Sequence, residues 1–325
     1  MSAYILRRLL YAIPLLIGVN LITFLLFFTI NTTDDMARLH LGVKNVDQAA
    51  IVRWKKAHGY NMPNWFNAEE RGSDKLTETL FFQKSLKLFV FEFGESDKGR
   101  DILNEIKTRM WPSLAIAVPT LIIGLLVSVT FAMLLAFFRA SYIDFSGVIL
   151  CVVLMSVSAM FYIIGGQYLI GKVLHLVPIS GYDDTGNTFK FVILPVIIGV
   201  IGGVGASTRW YRTIFLEEIG KDYVRTARAK GLSEQRVLFK HVLRNGMIPI
   251  LTGLVATIPL LFMGSLITES FFGIPGLGSY VIDGIRSQDF GIVRSMVFLG
   301  AVLSIIGLIM TDISYTIADP RIRFS

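Results

Sequence analysis

The 325-residue sequence has little cysteine and little charge, and both shortages restrict what it can be. The single cysteine, Cys151, lies inside an apolar run, so neither an intrachain disulfide nor a multi-cysteine metal site can form. Only 17% of the residues are charged whereas 53% are hydrophobic, which is far from the composition of soluble globular proteins. The composition therefore predicts a membrane protein that depends on lipid contacts and helix packing.

The sequence also lacks the short motifs of common catalytic sites. It contains no Walker phosphate-binding loop, no Gly-x-Ser-x-Gly elbow and no His-Glu-x-x-His helix. The glycines from Gly199 to Gly205 lie in an apolar run without a preceding strand, which favours helix packing over dinucleotide binding. His40 and His58 have no ligand-type neighbours at metal-binding spacing. We therefore expect no catalytic residue, metal or cofactor in this chain.

Six apolar runs are long enough to cross a hydrocarbon core, which requires about 20 residues. They cover approximately residues 9–30, 112–138, 147–171, 191–208, 249–269 and 295–315. The first run carries the basic flank Arg7-Arg8 of a signal peptide, but it is too long and lacks a cleavage site, so we expect a retained helix. The fourth is expected to be the weakest helix because its four glycines lower helix propensity.

Lysine and arginine are concentrated in one set of short connections, which predicts the orientation of the chain. With the N-terminus in the cytoplasm, the cytoplasmic segments hold 14 basic residues and the short external loops hold four. The segment 31–108 does not count, because long loops cross the membrane regardless of charge. We expect an all-α protein with six transmembrane helices and both termini inside. The net charge of +7 then belongs to the membrane surface and not to a nucleic-acid site.

The six runs have almost no ionisable residue at mid-depth, where ion-coupled carriers keep a carboxylate. Glu269 and Asp312 lie near run ends, which favours a helix-end or interface role over a transport role for each. The energy for uphill transport is therefore expected to come from another subunit.

Two stretches of the long segment 31–108 have recognisable patterns. Val46 to Ala57 has helical spacing and ends at His58-Gly59, before a turn at Met62-Pro63-Asn64. Phe81 to Phe93 alternates imperfectly between apolar and charged residues, as in a segment lying on a membrane surface.

The connection between the fourth and fifth runs, residues 221–245, is more amphipathic than a linker needs to be. Asp222 to Lys230 has the pattern of a short helix, Gly231 supplies the left-handed geometry that ends it, and Ser233 is placed to cap the next helix. The second helix carries an apolar stripe formed by Val237, Leu238, His241 and Val242. The pattern predicts a helix–turn–helix elbow, which either lies on the membrane surface or docks in a groove of a cytoplasmic partner.

This elbow resembles a known family. The run from Asp222 to Ser233, followed by His241 to Asn245 and by Ile248-Pro249, is similar to the cytoplasmic loop of ABC-importer permeases of the dipeptide, oligopeptide and nickel family. Arg225, Thr226 and Ala227 occupy the Glu-Ala-Ala places of that loop and Gly231 its glycine, so the first carboxylate of the general motif is absent.

Further segments resemble the first of the two permeases in such systems. They are Ile5 to Leu10 with Pro14, Val177 to Tyr182, Glu269 to Gly278, and Asp319-Pro320-Arg321. Asn67 to Thr79 looks like an insertion relative to the shorter external loop of the family, and its role is not given by the resemblance.

The resemblance implies a type I ABC permease with a transmembrane helix at 1–30, an external (periplasmic) loop region at 31–108 and a core domain at 109–325. The coupling elbow, within residues 211–248, would dock on the ATPases with its apolar stripe in their groove. Partners would be a second permease, two cytoplasmic ATPase subunits holding ATP and Mg²⁺, an external solute-binding protein and membrane lipid. The coupling residues implied are Asp222, Tyr223, Arg225, Thr226, Ala227, Arg228, Lys230, Gly231, Leu232, Ser233 and His241. Among them, Arg225, Arg228 and Lys230 would be docking charges.

The translocation path would be lined mainly by the second to fifth runs. The candidate lining residues are Met155, Ser156, Ser158, Gly264, Ser265 and Glu269. Residues Phe271 to Asp289, with Pro275, Gly276 and Gly278, are expected to form an external gate or a short re-entrant helix that touches the binding protein.

Two other functional classes remain open on the sequence alone. A secondary transporter or channel acting alone would need neither the elbow nor an ATPase, and a membrane sensor would need a cytoplasmic output domain that this sequence does not supply. The sequence leaves open whether the cargo is a dipeptide, a longer peptide, an oligosaccharide, a metal chelate or an antimicrobial peptide.

Overall fold

The computed structural model describes residues 2–42, 47–183 and 186–318. Over these residues the chain is helical, with a single antiparallel bridge between Glu95 and Asp101 in place of any strand. The chain divides into two compact units. Unit one takes its described residues from Met1–Met110 and Tyr280–Ile309, and unit two from Trp111–Ser279 and Met310–Arg323.

The α-helices follow one another along the chain with short connections. They are α1 Ser2–Leu25, α2 Thr33–Leu41, α3 Gln48–Ala57, α4 Asp74–Thr77, α5 Ile102–Phe137, α6 Tyr142–Ser156, α7 Ala159–Gly166, α8 Thr188–Ile219, α9 Asp222–Ala229, α10 Glu234–Val237, α11 Leu243–Val255, α12 Leu266–Phe272, α13 Leu277–Arg286 and α14 Phe290–Ala318. Short π-helices cover Leu26–Ile30, Phe81–Ser85, Gln167–Val173 and Leu238–Val242, and 3₁₀ helices cover Leu86–Val90 and Pro259–Met263.

Four helical stretches are long and apolar enough to cross a membrane, and two further bent pairs bring the number to as many as six. The four are Arg7–Ile30, Ile102–Phe137, Thr188–Ile219 and Phe290–Ser314. They correspond to the first, second, fourth and sixth runs read from the sequence, so the apolar runs located these helices correctly. The third and fifth runs are not straight helices.

The third run breaks between α6 and α7, whose axes differ by 87°. Val157 and Ser158 are both extended, with ψ near 128° and 143°, and the amide of Phe161 donates to the Ser158 carbonyl to start α7. In the fifth run, the axis of the helical stretch Glu234–Val255 differs in direction from that of Pro259–Phe272 by 42°. Pro259 has no amide hydrogen to continue the ladder of α11, which accounts for the second break.

The fourth run forms the unbroken 32-residue helix α8, although its glycines were expected to make it the weakest. A Cβ at Gly199 would lie 2.8 Å from Thr120 Cγ2, and one at Gly205 would lie 2.7 Å from the Cys151 carbonyl oxygen. These two glycines therefore let α5 and α6 approach α8 closely, as the packing interpretation predicted. A Cβ added at Gly203, by contrast, would have no atom within 4 Å, so this glycine is not required for close packing. Packing against neighbouring helices outweighs the low intrinsic propensity of glycine here.

Unit one is held by an aromatic core beneath its helices. Its buried side chains are Phe24, Phe28, Met36, Ala37, Ile51, Trp54, Tyr60 and Leu80. The helix expected from Val46 to Ala57 is α3, which is capped by the Asp47 side chain, while Val46 lies outside the described residues. His58 stacks on Trp54 at a ring distance of 4.3 Å, which is a structural role. Within the described ranges no group of three potential metal ligands occurs.

The stretch from Phe81 to Phe93 is the π-helix Phe81–Ser85 followed by the 3₁₀ helix Leu86–Val90. Leu80, Leu88 and Phe93 are buried in unit one, and the Asn20 side chain donates to the Ser85 carbonyl at 3.1 Å. One face of this segment is thus fixed to the protein. Its contact with a membrane surface stays a prediction.

Candidate functional site

The elbow, residues 221–245, is fixed to unit two by its apolar face. Val224, Val237 and Val242 are fully buried. They pack in one cluster with Ala132, Met133 and Ala136 of α5, Tyr211, Phe215 and Ile219 of α8, and Ile250 of α11. The period-3.6 pattern explains why α9 forms: Val224 and Ala227 point inward while the residues between them remain exposed.

The turn of the elbow depends on Gly231. Its φ of +75° is in the left-handed region that glycine adopts without strain, and its amide donates to the Arg228 carbonyl at 2.9 Å. The guanidinium of Arg228 donates to both carboxylate oxygens of Glu234, at 2.7 and 3.2 Å, across this turn. The predicted role of Gly231 in ending α9 is confirmed. Glu234 was not identified from the sequence, because a spacing of six residues is not that of a helical ion pair and the two side chains meet only across the turn.

Two expectations for the second helix of the elbow differ from the structure. Ser233 occupies the N-cap position of α10, but its hydroxyl caps no backbone amide. Val237, Leu238 and Val242 form the predicted stripe, yet they are buried inside this chain and do not face a partner's groove. The stripe is covered because α5 and α8 supply the apolar surface that an isolated elbow would lack.

The outward face of α9 and of the turn that follows it is polar, whereas the second half of the elbow exposes the ring of Phe239, which is 66% exposed. The Asp222 and Arg225 side chains are 96% and 74% exposed, with 3.6 Å between Arg225 Nη1 and Asp222 Oδ1. Thr226, Lys230 and Ser233 are exposed as well, whereas Leu232 and His241 are half-buried. Arg228 is partly withdrawn from this face by its pairing with Glu234. The exposed residues of this face are therefore the ones that another molecule can contact.

A second anchor of the elbow is the buried carboxylate of Glu218, at the end of α8. Both the Tyr223 hydroxyl and the Lys221 ammonium donate to it. Burial of the Tyr223 hydroxyl, together with its hydrogen bond to the Glu218 carboxylate, raises the pKa of Tyr223 to about 12. Tyr223 therefore ties α9 to α8, a role that the sequence did not reveal.

Glu269 organises a separate site in unit two. Its carboxylate accepts from the Ser113 hydroxyl at 2.8 Å, the Ser265 amide at 3.0 Å and the Ser279 amide at 3.0 Å. The Ser113 oxygen in turn accepts from the Leu277 amide at 2.8 Å. We call Glu269, Ser113, Ser265 and Ser279 the Glu269 clasp. Glu269 is 1% exposed and both of its carboxylate oxygens accept hydrogen bonds, in agreement with a helix-end role.

The glycines around the clasp are there because a side chain would collide with it. A Cβ at Gly264 or Gly276 would lie 1.9 or 2.2 Å from a Glu269 carboxylate oxygen, and one at Gly278 would lie 2.5 Å from the Ser265 carbonyl carbon. Gly264 also has a φ of +66°. Of the predicted gate residues, Pro275 and Gly276 lie in the connection just before α13 and Gly278 lies in the first turn of that helix, packed against Ser265.

The structure brings some of the predicted lining residues together and leaves others apart. Gly264, Ser265 and Glu269 line one cavity of about 310 Å³, together with Ser113 and Thr120 of α5 and Gly199 of α8. Met155, Ser156 and Ser158 are exposed at the break between α6 and α7 and do not line this cavity. Thr120 and Ser113 were missed by sequence reasoning because they lie within an ordinary apolar run.

Two of the segments that carried the family resemblance meet in unit two. The Gly181 amide donates to the Phe272 carbonyl at 2.7 Å, and the Gln167 side chain donates to the carbonyls of Ile179 and Phe271 at 3.0 Å each. The terminal segment Asp319-Pro320-Arg321 lies outside the described residues. The segments from Val177 and from Glu269 thus belong to one packed region.

Comparison with known proteins gives the same result along the whole chain. The family model described as binding-protein-dependent transport system inner membrane component matches residues 108–324. The oligopeptide transport system permease protein AppB of Bacillus subtilis is 28% identical over 332 residues, covering 100% of both chains. The dipeptide transport system permease protein DppB of Lactococcus lactis is 30% identical over 333 residues, covering 99% of this chain and 100% of that protein.

A putative peptide transport system permease protein of Brucella abortus (strain 2308) is 31% identical over 330 residues, covering 100% of both chains. These matches confirm the resemblance to ABC-importer permeases that the elbow sequence indicated. Together with the apolar helices, they identify a multi-pass protein of the inner membrane that acts as a transport subunit. The chain belongs to the family of binding-protein-dependent transport system inner membrane components.

Proposed function

We propose that this chain is one of two permease subunits in an ATP-driven importer of peptides. The support for peptide cargo is that relatives from three genera are named as oligopeptide, dipeptide or peptide permeases. The partners would be a second, related permease, two ATPases that bind ATP and Mg²⁺, and an external solute-binding protein. A stand-alone secondary transporter or channel is the alternative.

The proposed topology has six crossings with both termini in the cytoplasm. Each bent pair, α6–α7 with Gln167–Val173 and α11 with α12, would count as one crossing. The loop region 31–108 then lies outside, and the connection that contains the elbow, with nine basic residues from Arg209 to Arg244, lies in the cytoplasm.

The exposed face of the elbow is the observation that carries the proposed coupling to the ATPases. Asp222, Arg225 and Lys230 face outward, while Val224 and Ala227 hold α9 against the ends of α5 and α8. A partner that pushes on the polar face therefore also moves the helices beneath it, because packed apolar contacts do not deform continuously. The proposed docking surface thus combines the polar and charged residues of α9 with the exposed Phe239, and the apolar stripe serves as the internal attachment.

The cavity of about 310 Å³ beside the Glu269 clasp is the proposed part of the translocation path in this subunit. It contains no charged side chain other than Glu269, whose oxygens are all engaged. A weakly polar lining fits a path in which the binding protein selects the cargo.

The test of coupling is the substitution Gly231→Pro. Proline fixes φ near −65°, which the φ of +75° at this position excludes, so the turn cannot form. We expect the complex to keep ATP hydrolysis while cargo uptake falls by at least tenfold, measured in the same proteoliposomes. Wild-type uptake in this variant would refute the docking role.

Gly72→Ala is the matched control for a milder change, Gly231→Ala. Both glycines have left-handed φ, +64° and +75°, and neither has an atom within 4 Å of an added Cβ. The local backbone strain is thus equal, and only Gly231 lies in the elbow. Uptake should fall for Gly231→Ala alone.

Co-purification distinguishes the importer from the stand-alone transporter. The tagged chain, solubilised in mild detergent, is expected to bring down a second permease and one or two ATPases that hydrolyse ATP. Recovery of a homo-oligomer without ATPase activity would instead favour the stand-alone transporter.

A further inference from the structure

Unit one contains a polar cavity of about 250 Å³ that shares no lining residue with the cavity beside the Glu269 clasp. Three stretches of the chain line it: Gly59 to Met62, Gln83 to Glu95, and the start of α14 at Gly291 and Arg294. We call it the Arg294 cavity.

Arg294 is buried in the wall of this cavity without hydrogen-bond partners on two of its nitrogens. The residue is 3% exposed, and neither Nε nor Nη1 has an acceptor. The guanidinium carbon lies 5.7 Å from the Phe28 ring centroid, which is a weak interaction at that distance. A buried guanidinium loses its hydration and needs acceptors in exchange.

The aspartates of this region are already engaged elsewhere, and Glu92 and Glu95, which also line the cavity, accept no hydrogen bond from Arg294 Nε or Nη1. The Asp289 oxygens accept from the amides of Asp97 at 2.7 Å and Ile292 at 3.1 Å. Asp97 Oδ2 lies 3.5 Å from His40 Nε2. The protein therefore supplies long-range attraction to Arg294 but no acceptor for its Nε or Nη1.

Two lysines, Lys84 and Lys87, line the same cavity, and Lys84 is the more buried of them. Lys84 Nζ donates to the His58 carbonyl at 3.1 Å and lies 4.9 Å from the Tyr60 ring centroid. Burial and then the positive charge of Arg294 lower the pKa of Lys84 to about 8. Lys87 lies 3.9 Å from the Glu92 carboxylate, whereas the positive charges of Lys84 and Arg294 repel each other, and an anion between them would relieve that repulsion.

We propose that the Arg294 cavity binds a phosphate group, held by the unpaired guanidinium N–H groups of Arg294 and by the ammonium of Lys84. The parallel N–H pairs of the planar guanidinium are Nε with Nη2 and Nη1 with Nη2, so each pair that can match two phosphate oxygens includes one of the unpaired nitrogens. Arg294 lies four residues inside a helix that is apolar enough to cross a membrane, so it sits where that helix meets the headgroup layer. The phosphate is carried either by a phospholipid headgroup or by free phosphate from the medium.

The experiment uses the full-length chain purified in mild detergent with its accompanying subunits, and needs no knowledge of the cargo. Thermal unfolding is followed with inorganic phosphate against potassium chloride at equal ionic strength, and retained phospholipid is measured by native mass spectrometry. The variants are Arg294→Gln and Lys84→Gln. Arg71→Gln is the matched control, because Arg71 is an exposed cation of the same unit that does not line the cavity.

Each result decides the proposal. Stabilisation of the wild type by inorganic phosphate, weakened roughly tenfold or more in affinity by Arg294→Gln, supports a free-phosphate site. A phospholipid that is retained by the wild type and by Arg71→Gln but lost from Arg294→Gln supports a headgroup site. A wild type that neither responds to phosphate nor retains a phospholipid overturns the proposal, and this holds whether or not the variants fold. If Arg294→Gln fails to accumulate, Lys84→Gln is expected to weaken the same binding.

Discussion

Glu269 in unit two and Arg294 in unit one are both almost completely buried, yet their surroundings are opposite. Glu269 is 1% exposed, and its carboxylate accepts three hydrogen bonds from Ser113, Ser265 and Ser279. Arg294 is 3% exposed, and two of its three nitrogens have no acceptor. A buried charge whose partners are all within the chain is a structural element, because removing it strands those partners. A buried charge without partners stabilises nothing by itself and points to a ligand.

The largest effect is expected when the clasp loses the Glu269 carboxylate, which accepts all three of its hydrogen bonds. Glu269→Leu leaves the Ser265 and Ser279 amides and the Ser113 hydroxyl buried without an acceptor, at a cost of about 1–3 kcal/mol for each group. The chain should accumulate poorly in the membrane, measured by quantitative immunoblotting of membrane fractions. Glu217→Leu, at an exposed position of α8, is the control and should accumulate normally.

A smaller effect should distinguish two buried serines of α5. Ser113→Ala removes a donor to Glu269 and the acceptor of the Leu277 amide, whereas Ser128 is 1% exposed with a hydroxyl that has no hydrogen-bond partner. We expect Ser113→Ala to lower the thermal unfolding midpoint by a few degrees, corresponding to about 2 kcal/mol, and Ser128→Ala to leave it unchanged or raised. Equal loss in both variants would show that the clasp contributes nothing beyond burial.

Arg294 should behave in the opposite way to Glu269. In phosphate-free, phospholipid-depleted detergent, Arg294→Gln is expected to change the unfolding midpoint by less than Ser113→Ala, or to raise it, because an uncompensated buried charge is removed. The measurement is thermal unfolding of both variants side by side. If Arg294→Gln instead accumulated as poorly in the membrane as Glu269→Leu, the contrast between the two buried charges would be contradicted.

The smallest expected effect is a pH dependence from Lys84. The pKa of Lys84 is about 8 in the folded chain, below the ordinary lysine value of 10.5. Between these two pH values the unfolded chain holds a proton on Lys84 that the folded chain lacks. Stability therefore rises with pH from about 8 towards the ordinary lysine range. The wild type should show a steeper rise than Lys84→Met over this interval in urea unfolding without phosphate. Parallel curves would mean that Lys84 does not titrate in this range.

The sequence predicted the parts of the fold that depend on local pattern. The apolar runs gave the four long helices, the 3.6-residue period gave α9, and Gly231 gave the turn that follows it. The resemblance to the permease family, drawn from the elbow residues, was confirmed along the full chain. These features can be predicted locally, because the backbone hydrogen bonds of a helix join residues four apart and its buried face follows from the spacing of its own apolar residues.

The sequence failed where the outcome depended on distant residues. It gave no sign of the 87° break at Val157-Ser158, because neither residue is a helix breaker. It predicted a weak fourth helix, although contacts with Thr120 and Cys151 hold Gly199 and Gly205 in α8. It placed the apolar stripe of Val237 and its neighbours in a partner's groove, whereas α5 and α8 bury it within this chain.

By itself, the sequence determined that this protein is a membrane permease of a binding-protein-dependent system, because apolar length and the elbow motif are written in consecutive residues. Only the tertiary structure decided what each buried polar group does. Ser113 and Glu269 are 156 residues apart in the chain yet share a hydrogen bond of 2.8 Å, and Arg294 lines a cavity with Lys84 from far earlier in the sequence. The physical reason is that satisfying a buried charge is a question of which groups lie within about 3 Å in space, and chain order does not fix that.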